Sequence, residues 1–151
     1  MRMGFYINSI FKLHEADISD KADPLLISGL AASAGADVVL MGWSSKAGKN
    51  GEKLFKLIRE TTPADLILVV PVSEADIETV VKTRADGVVL VSPEWNGTET
   101  AATVSAGIDL ARLSDVAAEY RAAGMTVSAF IDPDINEIKA VAKASLAGVV
   151  I

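Results

Sequence analysis

The sequence contains no cysteine, which excludes disulfide bonds, thiolate nucleophiles and cysteine-ligated metal sites. A single histidine, His14, restricts imidazole chemistry to one position. The longest clean apolar runs, such as residues 66–70, are far shorter than the ~20 residues that span a bilayer, so no membrane partner is predicted. The N-terminus shows no basic start followed by an apolar stretch and a cleavage site. We therefore expect a cytoplasmic protein.

Positive charge is also scarce. The chain has 14 Lys and Arg against 20 Asp and Glu, and its net charge of −6 argues against a nucleic-acid partner. Half of the residues are apolar and the mean hydropathy is +0.36, which excludes a disordered chain. A length of 151 residues suits one domain with a hydrophobic core.

Strand-like and helix-like segments alternate along the chain. Six apolar runs lie at residues 4–8, 37–41, 66–72, 87–91, 125–131 and 148–151. Runs that are apolar throughout are typical of parallel strands covered on both faces. Five helical stretches separate them, at residues 23–35, 51–61, from 73 onward, 109–123 and 134–144. This order predicts right-handed βαβ units and a parallel sheet.

Two of the helices have clear start signals. Asp23 is a good N-cap with Pro24 at the first helical position, and Asp134 is placed to cap the last helix. In the first helix Leu26, Ile27, Leu30 and Ala34 recur at the spacing of an apolar stripe.

The alternation fits two architectures. One is an open doubly wound sheet, and the other is a (β/α)₈ barrel without its last quarter. Periodicity alone does not separate them. In either case a chain that ends within an apolar strand leaves an unpaired sheet edge, which favours association.

One stretch is similar to a known family. Residues 110–134, "LARLSDVAAEYRAAGMTVSAFIDPD", resemble pyridoxine 5′-phosphate synthase, which carries an "AAGI-VSLFIDPD" segment after a "GGLDV" turn. The "VSPE" of residues 91–94 resembles the family's "LVPE" strand end, and Asn8 matches its "NIDHIA-LREA" segment. The resemblance implies an α/β, TIM-barrel-like fold. We therefore predict an incomplete βα barrel of about six parallel strands and five helices, in one domain over residues 1–151 that ends within the sixth strand.

The resemblance also implies a chemistry. The family joins a phosphorylated aminoketone to 1-deoxyxylulose 5-phosphate and closes the pyridoxine ring, using carboxylates and histidines at the C-terminal strand ends. Carried over to this chain, the basic and imidazole positions of the family's "VHLRED" segment fall on Gly42 and Ser44. The third strand's glutamate falls on Val69, and the sixth strand's glutamate falls near Ile151. The first-loop arginine falls on His14 in one register and on Ala16 in another. General acid–base groups are each worth ~10²–10⁴-fold, so these replacements predict a loss of ring closure.

Several residues remain as candidates for a site at the strand ends. Glu94 and Asp132 are the candidate catalytic carboxylates, Glu94 as a general base. Trp43 and Trp95 each follow a strand and would stack on a flat or sugar-like ligand, or else fill the mouth of the barrel. The loop of residues 42–50, between a strand and a helix, resembles an anion-binding site. The candidate ligand-binding residues are Asn8, His14, Trp43, Ser44, Ser45, Lys46, Lys49 and Trp95.

Three functions stay open on these residues. The first is a non-catalytic member of the family that binds a phosphorylated small molecule or serves as an assembly subunit. The second is an active or altered synthase whose missing residues come from a partner chain or from residues beyond this sequence. The third is a structural module that associates through the 148–151 edge. We predict no metal site, since the "HEADISD" segment is more typical of a solvated acidic loop. We also predict no cofactor, and we expect a homo-oligomer.

Overall fold

The computed structural model describes residues 2–7, 23–43, 48–95, 103–104 and 110–150. Strands and helices alternate along these residues, as the sequence predicts. The strands are β1 (Gly4–Tyr6), β2 (Val38–Gly42), β3 (Asp65–Pro71), β4 (Gly87–Val91), β5 (Thr126–Phe130) and β6 (Gly148–Val150). The helices are α1 (Pro24–Ser33), α2 (Gly48–Thr61), α3 (Ile77–Lys82, after a 3₁₀ turn over Glu74–Asp76), α4 (Leu110–Ala122) and α5 (Ile135–Ala142).

The order of the strands decides between the two architectures. All six strands are parallel and lie in the sheet in chain order, β1-β2-β3-β4-β5-β6. A doubly wound sheet reverses its strand order at a switch point and carries helices on both faces. Here the apolar residues of the described helices pack with one face of the sheet. The fold is therefore an incomplete, TIM-barrel-like half-barrel of six strands and five helices in the described part of the chain.

The sheet has two differently packed faces, since successive side chains of a strand point in opposite directions. The helix-facing layer holds most of the core, including Val39, Met41, Leu66, Leu68 and Val70 from the strands. The inner face carries a smaller cluster of Val69, Val89, Val91 and Trp95, with Tyr6, Leu40, Ile67, Phe130 and Val150 packed against it.

The caps predicted from sequence are confirmed. The Asp23 carboxylate accepts a hydrogen bond from the backbone N–H of Leu25 at 2.9 Å, and Pro24 begins α1. The Asp134 carboxylate accepts from Asn136 N–H at 2.7 Å and from Glu137 N–H at 3.3 Å. Both aspartates satisfy donors that the first helical turn leaves without partners.

Four of the five described turns that lead from a helix to the next strand share one backbone conformation. Gly35 and Gly124, after α1 and α4, have φ of +99° and +84°. Arg84 and Ser145 take the same place after α3 and α5, with φ of 60° and 56°. Glycine adopts this left-handed conformation without the steric cost that other residues meet. The structure therefore stores strain at Arg84 and Ser145.

An aspartate at the start of three neighbouring strands ties the N-terminal end of the sheet together. The Asp37 carboxylate accepts from Met3 N–H at 2.8 Å, across to β1. The Asp86 carboxylate accepts from Leu66 N–H at 2.9 Å and pairs with Arg59 Nε at 2.8 Å. Asp65 pairs with Arg2. The repeated "AD" before each strand in the sequence thus stabilises the end of the sheet opposite the candidate site.

Exposed apolar side chains concentrate at the two ends of the sheet. Of eight large hydrophobic side chains exposed among the described residues, Leu57 alone lies on an element away from those ends. The other seven are Met3, Phe5, Leu26, Leu30, Ile135, Ile138 and Val149, on β1, α1, α5 and β6 or beside them. The apolar stripe predicted for α1 is thus only partly buried: in the described part of the chain α1 packs against β2 and α2, and Leu26 and Leu30 remain exposed.

No helix in the described ranges combines the length and the apolar character needed to cross a bilayer.

Candidate functional site

The carboxyl ends of the parallel strands form one edge of the sheet, where barrel enzymes place their sites. Trp43 follows β2, Val72 follows β3, residues 92–95 follow β4 and Asp132 follows β5. The structure therefore brings four of the sequence-predicted residues, Trp43, Glu94, Trp95 and Asp132, to the same edge. It does not bring all of them to the same face.

Trp43 faces the helices. Its side chain is 2% exposed and its ring lies 5.6 Å from that of Phe55 on α2, centroid to centroid. Strand parity explains this placement, because Val39, Met41 and Trp43 are two residues apart and share the helix-facing layer. The indole Nε1 is buried and has no hydrogen-bond partner among the described residues. In this position Trp43 packs α2 onto the sheet.

Trp95 lies on the other face. It is 6% exposed and packs with Val69, Val89 and Val91 at the inner face. A short turn holds it there, since its backbone N–H donates to the Ser92 carbonyl at 3.0 Å. Of the two tryptophans, Trp95 is the one that borders the interior of the half-barrel.

The two candidate carboxylates are on the surface of the edge. Glu94 is exposed, and its backbone N–H donates to the Ser92 hydroxyl at 3.4 Å. Asp132 is exposed between β5 and the Asp134 cap of α5. Both are therefore within reach of a ligand that approaches from solvent.

The inner face has no titratable side chain at the level of Gly42 and Val69, where the resemblance to pyridoxine 5′-phosphate synthase predicts catalytic groups. In the sheet register Gly42 pairs with Val69, Val69 with Val89, Val89 with Ser128 and Ser128 with Gly148. This layer across five strands contains one hydroxyl and no carboxylate, imidazole or amine. Val69 itself is 3% exposed.

Tyr6 is a candidate residue that sequence reasoning missed. Its side chain packs against the inner-face cluster, and its hydroxyl is buried without a hydrogen-bond partner among the described residues. Burial raises the pKa of the Tyr6 phenol, so the hydroxyl keeps its proton and remains a donor. The sequence held one signal for Tyr6. It lies two residues before the candidate Asn8, and residues two apart along a strand share a face.

The remaining predicted residues lie outside the described part of the chain. They are Asn8, His14, Ser44, Ser45 and Lys46. The backbone of Lys49 belongs to the first turn of α2, but its side chain is likewise outside the description. Within the described ranges, no group of three or more His, Asp or Glu residues is placed to hold a metal ion.

Comparison with known proteins identifies the family. The model of the family described as pyridoxal phosphate biosynthesis protein PdxJ matches residues 3–151. A pyridoxine 5′-phosphate synthase of Synechococcus sp. (strain JA-2-3B'a(2-13)) is 27% identical over 143 residues, covering 95% of this chain and 60% of the relative. That of Desulfatibacillum aliphaticivorans is 29% identical over 142 residues, covering 91% of this chain and 59% of the relative. The chain thus spans about three fifths of the length of these curated relatives.

Solved structures support the fold. A mandelate oxidase bound to (S)-2-phenylpropionate superposes with a TM-score of 0.60 at 14% identity, over 84% of this chain and 44% of that one. An uncharacterized B. cereus protein superposes with a TM-score of 0.55, also at 14% identity, over 98% of this chain and 38% of that one. Because the family model matches residues 3–151, nearly the whole chain, this chain belongs to the PdxJ family of pyridoxal phosphate biosynthesis proteins.

Proposed function

We propose that this chain is a non-catalytic member of the PdxJ family that binds a phosphorylated small molecule at the carboxyl edge of its sheet. The observation that carries the proposal is the inner-face layer of Gly42, Val69, Val89, Ser128 and Gly148. Ring closure requires several proton transfers, and each needs a titratable group within hydrogen-bond reach. This layer offers only a serine hydroxyl.

Val69 supports the proposal most directly. It stands at the position of the glutamate expected on the third strand, and it packs into a cluster of valines with Trp95. A carboxylate cannot be restored there by a small movement of a neighbour, since the neighbouring described side chains of the cluster are apolar. Glu94 and Asp132 remain at the edge, but both are exposed.

The phosphorylated ligand is inferred from the family and from the β2–α2 connection. The relatives are named for the 5′-phosphate of pyridoxine. In this chain Ser44, Ser45, Lys46 and Lys49 follow β2 directly and lead into the first turn of α2. Hydroxyls, ammonium groups and the N-terminus of a helix are together suited to an anion.

A titration of the purified chain with 1-deoxyxylulose 5-phosphate tests the proposal. Trp95 borders the interior, so we expect saturable changes in tryptophan fluorescence. The variant Trp43→Phe, which leaves Trp95 as the reporter, should give the same change. Removal of both lysines in Lys46→Ala/Lys49→Ala should weaken binding by about 100-fold or more, since charge-assisted contacts to a phosphate are worth about 1.5–3 kcal/mol each. An unchanged affinity in this variant, or no saturable binding in the parent, would refute the proposed ligand.

A further inference from the structure

The outer surface of the half-barrel carries a groove that the candidate site does not use. It lies between α3 and α4, has a volume of about 1150 Å³ and is widely open to solvent. Its lining includes Ile77 and Val81 from α3 and Val116, Ala118 and Ala122 from α4. Small-molecule sites are usually enclosed and of ~300–1,000 Å³. An open groove of this size with an apolar floor fits a helix better than a metabolite.

The rim of the groove is acidic. Glu78, Asp115 and Glu119 line it, with Lys82 as the one cation of the lining. Lys82 is already paired with Glu78, Nζ to Oε1, at 2.6 Å. Among the described residues Asp115 and Glu119 have no ion-pair partner, and both are exposed. The groove therefore favours an occupant that brings cations beside an apolar anchor.

The exposed face of α2 has this composition. Lys53, Lys56, Leu57 and Glu60 are spaced i, i+3, i+4 and i+7, so they form one stripe along the helix. All four are exposed, and Leu57 is 44% exposed although it is away from the open ends of the sheet. Lys53 and Lys56 have no ion-pair partner within the described ranges.

The geometry points to a second copy of this chain as the occupant: we propose that the α2 stripe (Lys53, Lys56, Leu57, Glu60) of one copy docks into the α3–α4 groove of another. Helices α2, α3 and α4 are consecutive around the sheet. A two-fold axis near α3 would place each copy's α2 over the other's α4, so both stripes and both grooves are used at once. Closed two-fold pairing of this kind is the commonest form of homo-oligomer. The proposal is independent of whether the chain turns over a substrate.

Native mass measured by light scattering, at low and at high salt, tests the pairing. We expect a dimer that weakens as salt increases, because the Lys53 and Lys56 contacts to Asp115 and Glu119 are solvent-exposed charges. Leu57→Asp should raise the dissociation constant by about tenfold or more, as for an anchor side chain in an interface. A monomer at every concentration tested would overturn the proposal.

Charge reversal gives a sharper test. Lys53→Glu/Lys56→Glu and Asp115→Lys/Glu119→Lys should each be monomeric alone, since both meet like charge across the two-fold. Mixed in equal amounts, they should form a heterodimer. In that pair the reversed, acidic stripe of one variant faces the reversed, basic groove of the other, and the second contact keeps the native stripe and the native groove. All these positions are exposed on helices, and circular dichroism verifies that the variants are folded. Two variants that fail to pair when mixed would overturn the proposed contact.

The open ends of the sheet provide the matched controls. Leu26→Asp on α1 and Val149→Asp on β6 place the same charge on the other exposed apolar patches. We expect both to retain the dimer. Loss of the dimer in these variants, with Leu57→Asp unaffected, would assign association to the sheet ends and refute the α2–groove contact.

Discussion

Gly42 at the end of β2 and Val69 in β3 are register partners in the parallel sheet, side by side on its inner face. Both stand at positions where the resemblance to pyridoxine 5′-phosphate synthase leads one to expect a titratable side chain. The proposed absence of catalysis therefore rests on two adjacent strands that carry no titratable side chain at this level of the half-barrel. The apolar cluster of Val69, Val89, Val91 and Trp95 occupies that level instead.

The left-handed residues after α3 and α5 predict stabilising substitutions. Arg84→Gly and Ser145→Gly should each raise the free energy of unfolding by about 0.5–1 kcal/mol, because the relief of backbone strain exceeds glycine's entropy cost. Gly124→Ala should lower the free energy of unfolding by about 1 kcal/mol, because alanine is strained in the left-handed conformation. A Cβ at Gly124 would meet no atom within 4 Å, so no steric clash adds to this cost. Urea denaturation measures all three. Destabilisation by Arg84→Gly would contradict this account of the turn.

The contacts of Asp86 predict unequal effects for the two members of an ion pair. Asp86→Ala should lower the free energy of unfolding by about 1–3 kcal/mol, because it orphans the N–H of Leu66 as well as Arg59. Arg59→Ala should cost about 0–1 kcal/mol, since its side chain is 40% exposed and Asp86 keeps its backbone donor. Thermal or denaturant unfolding of both variants compares them. Equal losses would show that the ion pair, and not the backbone contact, carries the stability.

The placement of the two tryptophans predicts that they act differently. Trp43→Ala should lower the free energy of unfolding by about 3–5 kcal/mol, because it removes a buried side chain from the helix-facing layer beside Phe55. Trp95→Ala also removes a buried side chain, but it should in addition reduce the ligand affinity of the folded protein, because Trp95 borders the interior. Binding is compared on the folded fraction of each variant. A folded Trp43→Ala protein that alone loses its affinity would contradict this division.

Tyr120 predicts a loss of stability at alkaline pH. Its hydroxyl is buried without a partner among the described residues, and burial, aided by the charge of Asp76, raises the pKa of its phenol above the ordinary value of 10.0. The unfolded chain therefore releases this proton at a lower pH than the folded protein does. The associated stability is fully present below pH 10.0 and is lost as the pH rises toward the folded pKa.

Tyr120→Phe is the variant that tests this effect. It should unfold at a higher pH than the parent, and at neutral pH it should be as stable as the parent or more so, since it removes an unsatisfied polar group. Fluorescence-monitored unfolding between neutral and alkaline pH follows both proteins. Identical alkaline midpoints would show that Tyr120 does not control this transition.

The secondary structure was largely predictable, because local signals determine it. The six apolar runs, Asp23 with Pro24, and Asp134 each act within a few residues, and all are confirmed. The choice between open sheet and half-barrel was not available from periodicity, because strand order depends on contacts between distant segments. The exposure of Leu26 and Leu30 escaped prediction for a similar reason: it depends on which elements flank α1 in space.

The site was less predictable than the fold. A position after a strand correctly places Trp43 and Trp95 at the carboxyl edge, but it does not say which face each side chain takes. Strand parity would have separated them, since Trp43 continues the helix-facing series of Val39 and Met41. The roles of Asn8, His14, Ser44, Ser45, Lys46 and Lys49 stay predictions, because their side chains lie outside the described part of the chain.

The most direct test of the account is an assay of ring closure by the purified chain, supplied with 1-deoxyxylulose 5-phosphate and the phosphorylated aminoketone. Formation of pyridoxine 5′-phosphate and release of phosphate are both measured, with Glu94→Gln run beside the parent. With Gly42 and Val69 on the inner face, we predict product formation no faster than in buffer for either protein. Turnover by the parent that Glu94→Gln abolishes would contradict the central claim and make Glu94 a catalytic base.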